Sequence, residues 1–234
     1  MSEYFFAPQA PASVAVAGSH RRFAVHRIYC VGLNYADHVR ELGSDPKSPP
    51  VFFMKPADAL VENGAAVPYP SLTHNLHHEI ELVVALGRGG RDIAPQRALE
   101  HVFGYGAGND LTRRDLQKAA KDRGQPWDTA KGFDHSAPLA PLRPVSEGHP
   151  THGRIWLKVN GETRQDADVS ELIFDVPQVI AALSQLYELR PGDLIFTGTP
   201  AGVGALKVGD RVEGGVEGLP VLSHSIVAPQ GAHS

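Results

Sequence analysis

A single cysteine, Cys30, stands in a chain of 234 residues. One thiol excludes an intramolecular disulfide and any metal site built on several cysteines. Long apolar runs are also missing: no stretch approaches the roughly 18 consecutive apolar residues of a membrane-spanning helix. The opening MSEYFFAPQAPASVAV has no basic region followed by an apolar run, so no secretory signal is read there. Charge of one sign is lacking too. Lys and Arg total 22 against 26 Asp and Glu, a formal net charge of −4, and no block of like charge occurs. Neither a nucleic-acid partner nor an anionic membrane surface is expected, and the expected location is cytoplasmic.

Glycine and proline are plentiful, 24 and 19, and spread along the chain. That pattern predicts many short elements joined by tight turns rather than a helical bundle. Strands are predicted at Arg27 to Leu33, Pro50 to Lys55, His78 to Leu86, Arg154 to Gly161, Asp193 to Thr199 and Leu219 to Val227. Asn160-Gly161 in KVNGET suits the positive φ angles of a type I′ hairpin. The clearest helix follows Asp175, which can cap it, with Pro177 in the first turn and apolar side chains at helical spacing; Pro191-Gly192 is read as its end. A second helix is predicted from Leu111 to about Lys121. A short third runs from Ala36 to Leu42, with Asn34 as its cap and Gly43 as its stop. The fold class is α+β, mostly β, in one domain.

The segment NLHHEIELVVAL poses a problem. It reads as a buried strand, yet it contains Glu79 and Glu81. On a strand these two share one face, followed by Val83 and Ala85, while His78, Ile80, Leu82, Val84 and Leu86 form the other. On a helix they would diverge by about 200°. Two neighbouring carboxylates in a partly buried place repel each other unless a positive charge lies between them. A divalent cation with a preference for hard oxygen ligands, Mg²⁺, Mn²⁺ or Ca²⁺, meets that need. The competing reading is an exposed strand end with two solvated glutamates.

Further acidic and polar groups are candidates to join them. Asp110 enters a helix after a glycine-rich stretch, where an ordinary N-cap is the plainer role. Its spacing to Arg114 and Gln117, i, i+4 and i+7, would put all three on one helical face. His38 and Glu41, at i and i+3, would meet on the short helix, either as a chance ion pair or as a Glu-oriented general base. Lys131 in WDTAKGFD is exposed or, in a pocket, a cation for an enolate or carboxylate. LRPGDLIFTGTPAGVG brings Thr197, Gly198 and Thr199 to a small-residue loop that lets backbone approach a ligand. It lacks the lysine of a phosphate-binding loop.

The segments GLNYADHVRELG, FFMKP, LHHEIEL, GYGAGNDLTRRDLQ, GQPWDTAKGFD, WLKVNGETRQ and LRPGDLIFTGTPAGVG occur in this order. Together they make the chain resemble the fumarylacetoacetate hydrolase family from about Arg27 to Ile226. Within it the chain looks most like the small acylpyruvate hydrolases, and its opening is similar to fumarylpyruvate hydrolases of gentisate-type aromatic degradation. The resemblance implies a mixed β-sandwich roll with a few flanking helices and, usually, a homodimer. It implies a single catalytic domain over residues 25–227; the chain on either side reads as a peripheral segment over 1–24 and a flexible tail over 228–234. It further implies Mg²⁺ or Mn²⁺ held by Glu79, Glu81 and Asp110. His38 and Glu41 become the water-activating pair and Lys131 a catalytic cation. Arg114, Gln117, Thr199 and Lys55 map to substrate-contacting positions. One departure bears on the acyl group: many relatives carry Arg or Lys where this chain has Leu33.

The implied reaction is hydrolysis of the C–C bond of a 3-acylpyruvate, a small-molecule substrate. Fumarylpyruvate and water would give fumarate and pyruvate, with pyruvate enolate as the leaving group. Two other reactions fit the same metal site: oxaloacetate decarboxylation, and isomerisation of 2-hydroxyhepta-2,4-diene-1,7-dioate. Neither needs activated water, so the presence of both His38 and Glu41 favours hydrolysis. A metal-binding scaffold without turnover would need neither that pair nor Lys131.

Overall fold

Short strands dominate the computed structural model, which describes residues 4–37 and 50–229. The largest sheet runs in the order Val51–Lys55, Ile28–Gly32, Leu194–Phe196, Ile80–Leu86, Val102–Asn109, Ala137–Leu139 and Leu60–Glu62, with Arg143–Pro144 also paired to Val102–Asn109. Two of its pairings are parallel, Ile28–Gly32 with Leu194–Phe196 and Ala137–Leu139 with Leu60–Glu62; the others are antiparallel. A second sheet orders Glu162–Asp168, Arg154–Val159, Arg211–Val216, Leu222–Val227 and Ala66–Pro68. A small third sheet joins Thr112–Arg113, Leu76–His78 and Gly204–Ala205. The fold is α+β and mostly β, a roll of mixed sheets with few helices.

The strand Ile80–Leu86 is buried along its whole length because apolar layers cover both faces. Ile80, Leu82, Val84 and Leu86 belong to the core shared with Leu157, Val212, Leu222 and Ile226 of the second sheet. Val83 and Ala85 belong to the opposite core, with Cys30, Leu139 and Phe196. Alternation along the strand divides these residues between the two layers. It also sends Glu81 toward the second layer, at the open end of the strand.

Asn160 and Gly161 have φ of 53° and 83°, the type I′ turn that joins Arg154–Val159 to Glu162–Asp168. The helix Val176–Leu186 starts at Asp175, whose carboxylate accepts from Gln178 N–H at 2.9 Å, while the Gln178 side chain accepts from Asp175 N–H. That reciprocal pair satisfies donors a bare helix start leaves open. Among the described residues no helix is long and apolar enough to cross a membrane.

Several sequence expectations are corrected in detail. The helix after Asp110 does not begin at Leu111 but spans Arg114–Asp122. Thr112 and Arg113 are held extended by pairing with His77 and Leu76, so tertiary pairing overrides local helical preference. Asp110 is therefore not a helix cap. The helix Val176–Leu186 stops short of Pro191-Gly192: Leu189 exchanges both backbone hydrogen bonds with Gly90, which pulls the chain into a bridge. Asn34 spends its side chain on Phe174 and Thr197. The short helix expected over Ala36 to Leu42 falls mostly outside the described residues.

Candidate metal centre

Glu79, Glu81 and Asp110 each offer an oxygen to a cluster in which these atoms all lie within 4.8 Å of one another. Backbone pairing brings the three there. Ile80 pairs with Asn109 and Glu81 with Gly108 across adjacent antiparallel strands, and Asp110 N–H donates to Glu79 O at 2.8 Å. The strand end and its neighbour's exit loop thus face one spot. All three carboxylates are buried, with relative exposures of 4%, 1% and 0%.

Such a concentration of negative charge needs compensation. Lys131 Nζ donates to Glu79 Oε2 at 2.7 Å and to Asp110 Oδ2 at 2.6 Å. Burial alone would push this lysine down, but Asp110 and Glu79 outweigh it, so its pKa is raised and it is charged. Arg114 pairs with the other oxygen of Glu79 and with Gln117. Its charge and, above all, burial hold neighbouring His77 down to about 4. Glu81 has only the Gly198 N–H, at 2.7 Å, as its hydrogen-bond donor among the described residues. Burial first, then the charges of Asp110 and Glu79, push its carboxyl well above the usual range.

Asp110 Oδ1 is buried and accepts no hydrogen bond among the described residues; Lys55 Nζ lies 2.8 Å away as an ion pair. Glu79 and Asp110 share Lys131, Arg114 and Lys55, so Glu81 is the carboxylate without a directly paired cation among the described residues. The donors are all hard oxygens. That set fits a hard divalent cation such as Mg²⁺ or Mn²⁺.

The cavity over the cluster has a polar wall of the three carboxylates, Arg114, Gln117, Lys131 and Thr199, and an apolar wall of Val31, Leu33, Phe53 and Trp127. Seven of the ten residues singled out in the sequence therefore meet around one space. Lys55 does not line it. Its ammonium stands behind Asp110 and donates to the Leu111 and Lys131 carbonyls. His38 and Glu41 lie outside the described residues. Leu33 lines the apolar wall with φ of 61°, a left-handed conformation that costs a non-glycine residue about 1–2 kcal/mol.

Two buried amides, Asn109 and Gln165, are not read in the sequence, and a third, Asn34, is read only as a helix cap. Asn109 Oδ1 accepts from Glu79 N–H at 2.8 Å. Gln165 bonds Thr199 Oγ1 at 2.7 Å. Asn34 Nδ2 donates at 2.8 Å to Thr197 O, the carbonyl of the same peptide whose Gly198 N–H holds Glu81. Each is a polar side chain in an apolar setting, which the pattern of the chain does not distinguish from a solvated surface residue.

Comparison with known proteins agrees with this geometry. Residues 27–227 match the family described as Fumarylacetoacetate (FAA) hydrolase C-terminal. A crystal structure of fumarylpyruvate hydrolase from Pseudomonas aeruginosa, in complex with Mn²⁺ and pyruvate, is 51% identical, covers 97% of this chain and 100% of its own, and superposes with a TM-score of 0.95. The mitochondrial oxaloacetate tautomerase of Rattus norvegicus is 46% identical over 82% of this chain and 87% of its own length. A 5-carboxymethyl-2-hydroxymuconate delta-isomerase from Mycobacterium smegmatis is 35% identical, covers 90% of this chain and 82% of its own, with a TM-score of 0.80. By site, fold and sequence, the chain belongs to the fumarylacetoacetate hydrolase family.

Proposed function

We propose that the protein is a metal-dependent hydrolase of 3-acylpyruvates, converting fumarylpyruvate and water to fumarate and pyruvate in aromatic degradation. The observation that carries this reading is the buried triad Glu79, Glu81 and Asp110 bridged by Lys131, seen beside full-length similarity to a fumarylpyruvate hydrolase solved with Mn²⁺ and pyruvate. Residues 25–227 are the catalytic unit, and the working form is a homodimer.

The three carboxylates would hold Mg²⁺ or Mn²⁺, which when bound would supply Lewis-acid polarisation of the 2-keto acid end of the substrate. Arg114 and Gln117 orient that end from one side of the cavity and Thr199 from another. His38 and Glu41, identified by their motif, take a proton from water as it attacks the distal acyl carbon. The new C–O bond forms there, the C–C bond to the methylene carbon breaks, and its electron pair moves into pyruvate enolate. The Lys131 ammonium holds the growing charge and stands ready to return a proton to the enolate.

A second reading draws on the oxaloacetate tautomerase relative: proton transfer at the carbon beside the keto group of oxaloacetate, without C–C cleavage. Both reactions use Lys131 and the triad, and only hydrolysis uses activated water. Assaying fumarylpyruvate and oxaloacetate with His38→Ala and Glu41→Ala separates them. Hydrolysis is expected to fall about 10²–10⁴-fold, the loss typical of a general base. Unchanged hydrolysis in both variants contradicts the proposed pair.

A further inference from the structure

The amide of Gln165 can be oriented in only one way. It is buried, at the strand Glu162–Asp168, and meets four groups. Its oxygen receives Ile80 N–H at 3.1 Å and its nitrogen faces Pro200 O at 2.9 Å. A backbone N–H only donates and a backbone carbonyl only accepts. Turning the amide over would set donor against donor at Ile80 and acceptor against acceptor at Pro200. The remaining contacts follow. His78 Nδ1, 2.9 Å from the amide oxygen, carries a hydrogen and donates it. Gln165 Nε2 donates to Thr199 Oγ1 at 2.7 Å.

Thr199 is thus obliged to accept from Gln165, and its own hydroxyl hydrogen must point elsewhere. No acceptor for it exists among the described residues. The residue is 3% exposed and lines the cavity over the carboxylate cluster. We propose that Gln165 is a positioning residue that fixes Thr199 as a hydrogen-bond donor into the cavity, so that an oxyanion of the substrate is selected there. The inference rests on the keto-acid reading above and adds to it a residue remote from the substrate that sets the polarity of one contact. A hydroxyl free to rotate presents its lone pairs to an anion part of the time. One pinned by Gln165 presents its hydrogen throughout, so less ordering is left to be done on binding.

The test is calorimetric binding of oxalate, a planar oxyanion probe, to the Mn²⁺-loaded protein. Thr199→Val is expected to weaken oxalate about 10- to 100-fold, the range of a charge-assisted hydrogen bond, and Thr199→Ser to keep it. Gln165→Met is expected to cost about 3- to 10-fold alone and nothing further in the Thr199→Val background, with Mn²⁺ affinity unchanged throughout. An equal loss from Gln165→Met in both backgrounds means a merely structural role and overturns the proposal. Failure of the wild type to bind oxalate overturns the keto-acid reading and the proposal with it. Neutron diffraction from wild-type crystals checks the same point without a variant. The Thr199 hydroxyl deuterium is expected to point into the cavity; a deuterium directed at Gln165 overturns the proposal.

Discussion

At the scale of single residues, the site is a problem of charge. Three buried carboxylates within 4.8 Å of one another face Lys131, Arg114 and Lys55, and Glu81 pairs directly with none of the three among the described residues. A divalent cation at the cluster would pair with Glu81 directly. Glu81→Gln keeps the shape of the side chain and removes a charge. It is expected to weaken Mn²⁺ binding by at least about 10²-fold, in keeping with the loss of a ligand rather than of an outer partner. Calorimetric titration checks this, and near-wild-type affinity would remove Glu81 from the ligand set. Lys131→Met acts differently. It leaves Glu79 Oε2 and Asp110 Oδ2 without their ammonium, so the metal-free protein should be destabilised by about 3–5 kcal/mol, the range for removing one partner of a buried ion pair. Mn²⁺ should restore part of that loss in thermal melts.

The same residues show what a sequence can and cannot disclose. Glu79 and Glu81 were legible because two charges in an apolar strand break its pattern. Lys131 could be placed only as one of two alternatives, exposed or pocketed, since burial of a lysine leaves no local trace. Gln165 and Asn109 lie within the family-like segments WLKVNGETRQ and GYGAGNDLTRRDLQ, but nothing local marks a role for either. Their importance lies in contacts across 34 and 30 residues of chain, with Thr199 and Glu79.

Among elements, local rules held where a segment was governed by its own residues. Asp175, Pro177 and Gln178 mark a helix start that owes nothing to distant contacts, and it forms where expected. Replacing Asp175 with Ala is expected to cost about 1 kcal/mol, the usual value of a lost N-cap, measured as a shift in the urea midpoint. The rules failed where a neighbour intervened: Thr112 and Arg113 are drawn into strand pairing, and Leu189 into a bridge with Gly90. Close packing of elements also fixes Gly108. A methyl group there would come within 2.6 Å of both the Phe196 ring and Val83 Cγ2. Gly108→Ala is therefore expected to destabilise by about 1–3 kcal/mol through overpacking. Because Gly108 pairs directly with Glu81, Mn²⁺ affinity should fall as well. An unchanged melting temperature would contradict the tight approach of these strands.

For the whole molecule, the notable link is the one between the two large sheets. His224, on Leu222–Val227, bonds through Nε2 to Asn109 Nδ2 at the end of Val102–Asn109. Asn109 must donate here because its oxygen receives Glu79 N–H, so His224 Nε2 must accept and the imidazole is neutral. Burial holds its pKa down to about 4, against an ordinary 6.5. The unfolded chain then takes up a proton more readily than the folded one between these values. Stability is complete above about pH 6.5 and is lost as pH falls toward 4, by up to about 3 kcal/mol for this group. His224→Leu should flatten that acid dependence in pH-resolved melts. It should not abolish it, because burial also lowers His77 and His78. A wild type whose stability is level between pH 7 and 4.5 would contradict the neutral buried imidazole.

The overall architecture was readable only as a class. Composition and periodicity gave many short strands in one mostly β unit, whereas sheet order depends on long-range pairings such as Ile28–Gly32 beside Leu194–Phe196. Nothing in either segment names the other. The proposed hydrolysis, too, belongs to the assembled molecule, since it would require the triad, Lys131 and activated water in one space. Its most direct test is product analysis after fumarylpyruvate is incubated with the Mn²⁺-loaded protein. Equimolar fumarate and pyruvate are expected, ceasing when the metal is chelated and returning when Mn²⁺ is restored. Recovery of intact substrate, or product formation undiminished without metal, would contradict the account.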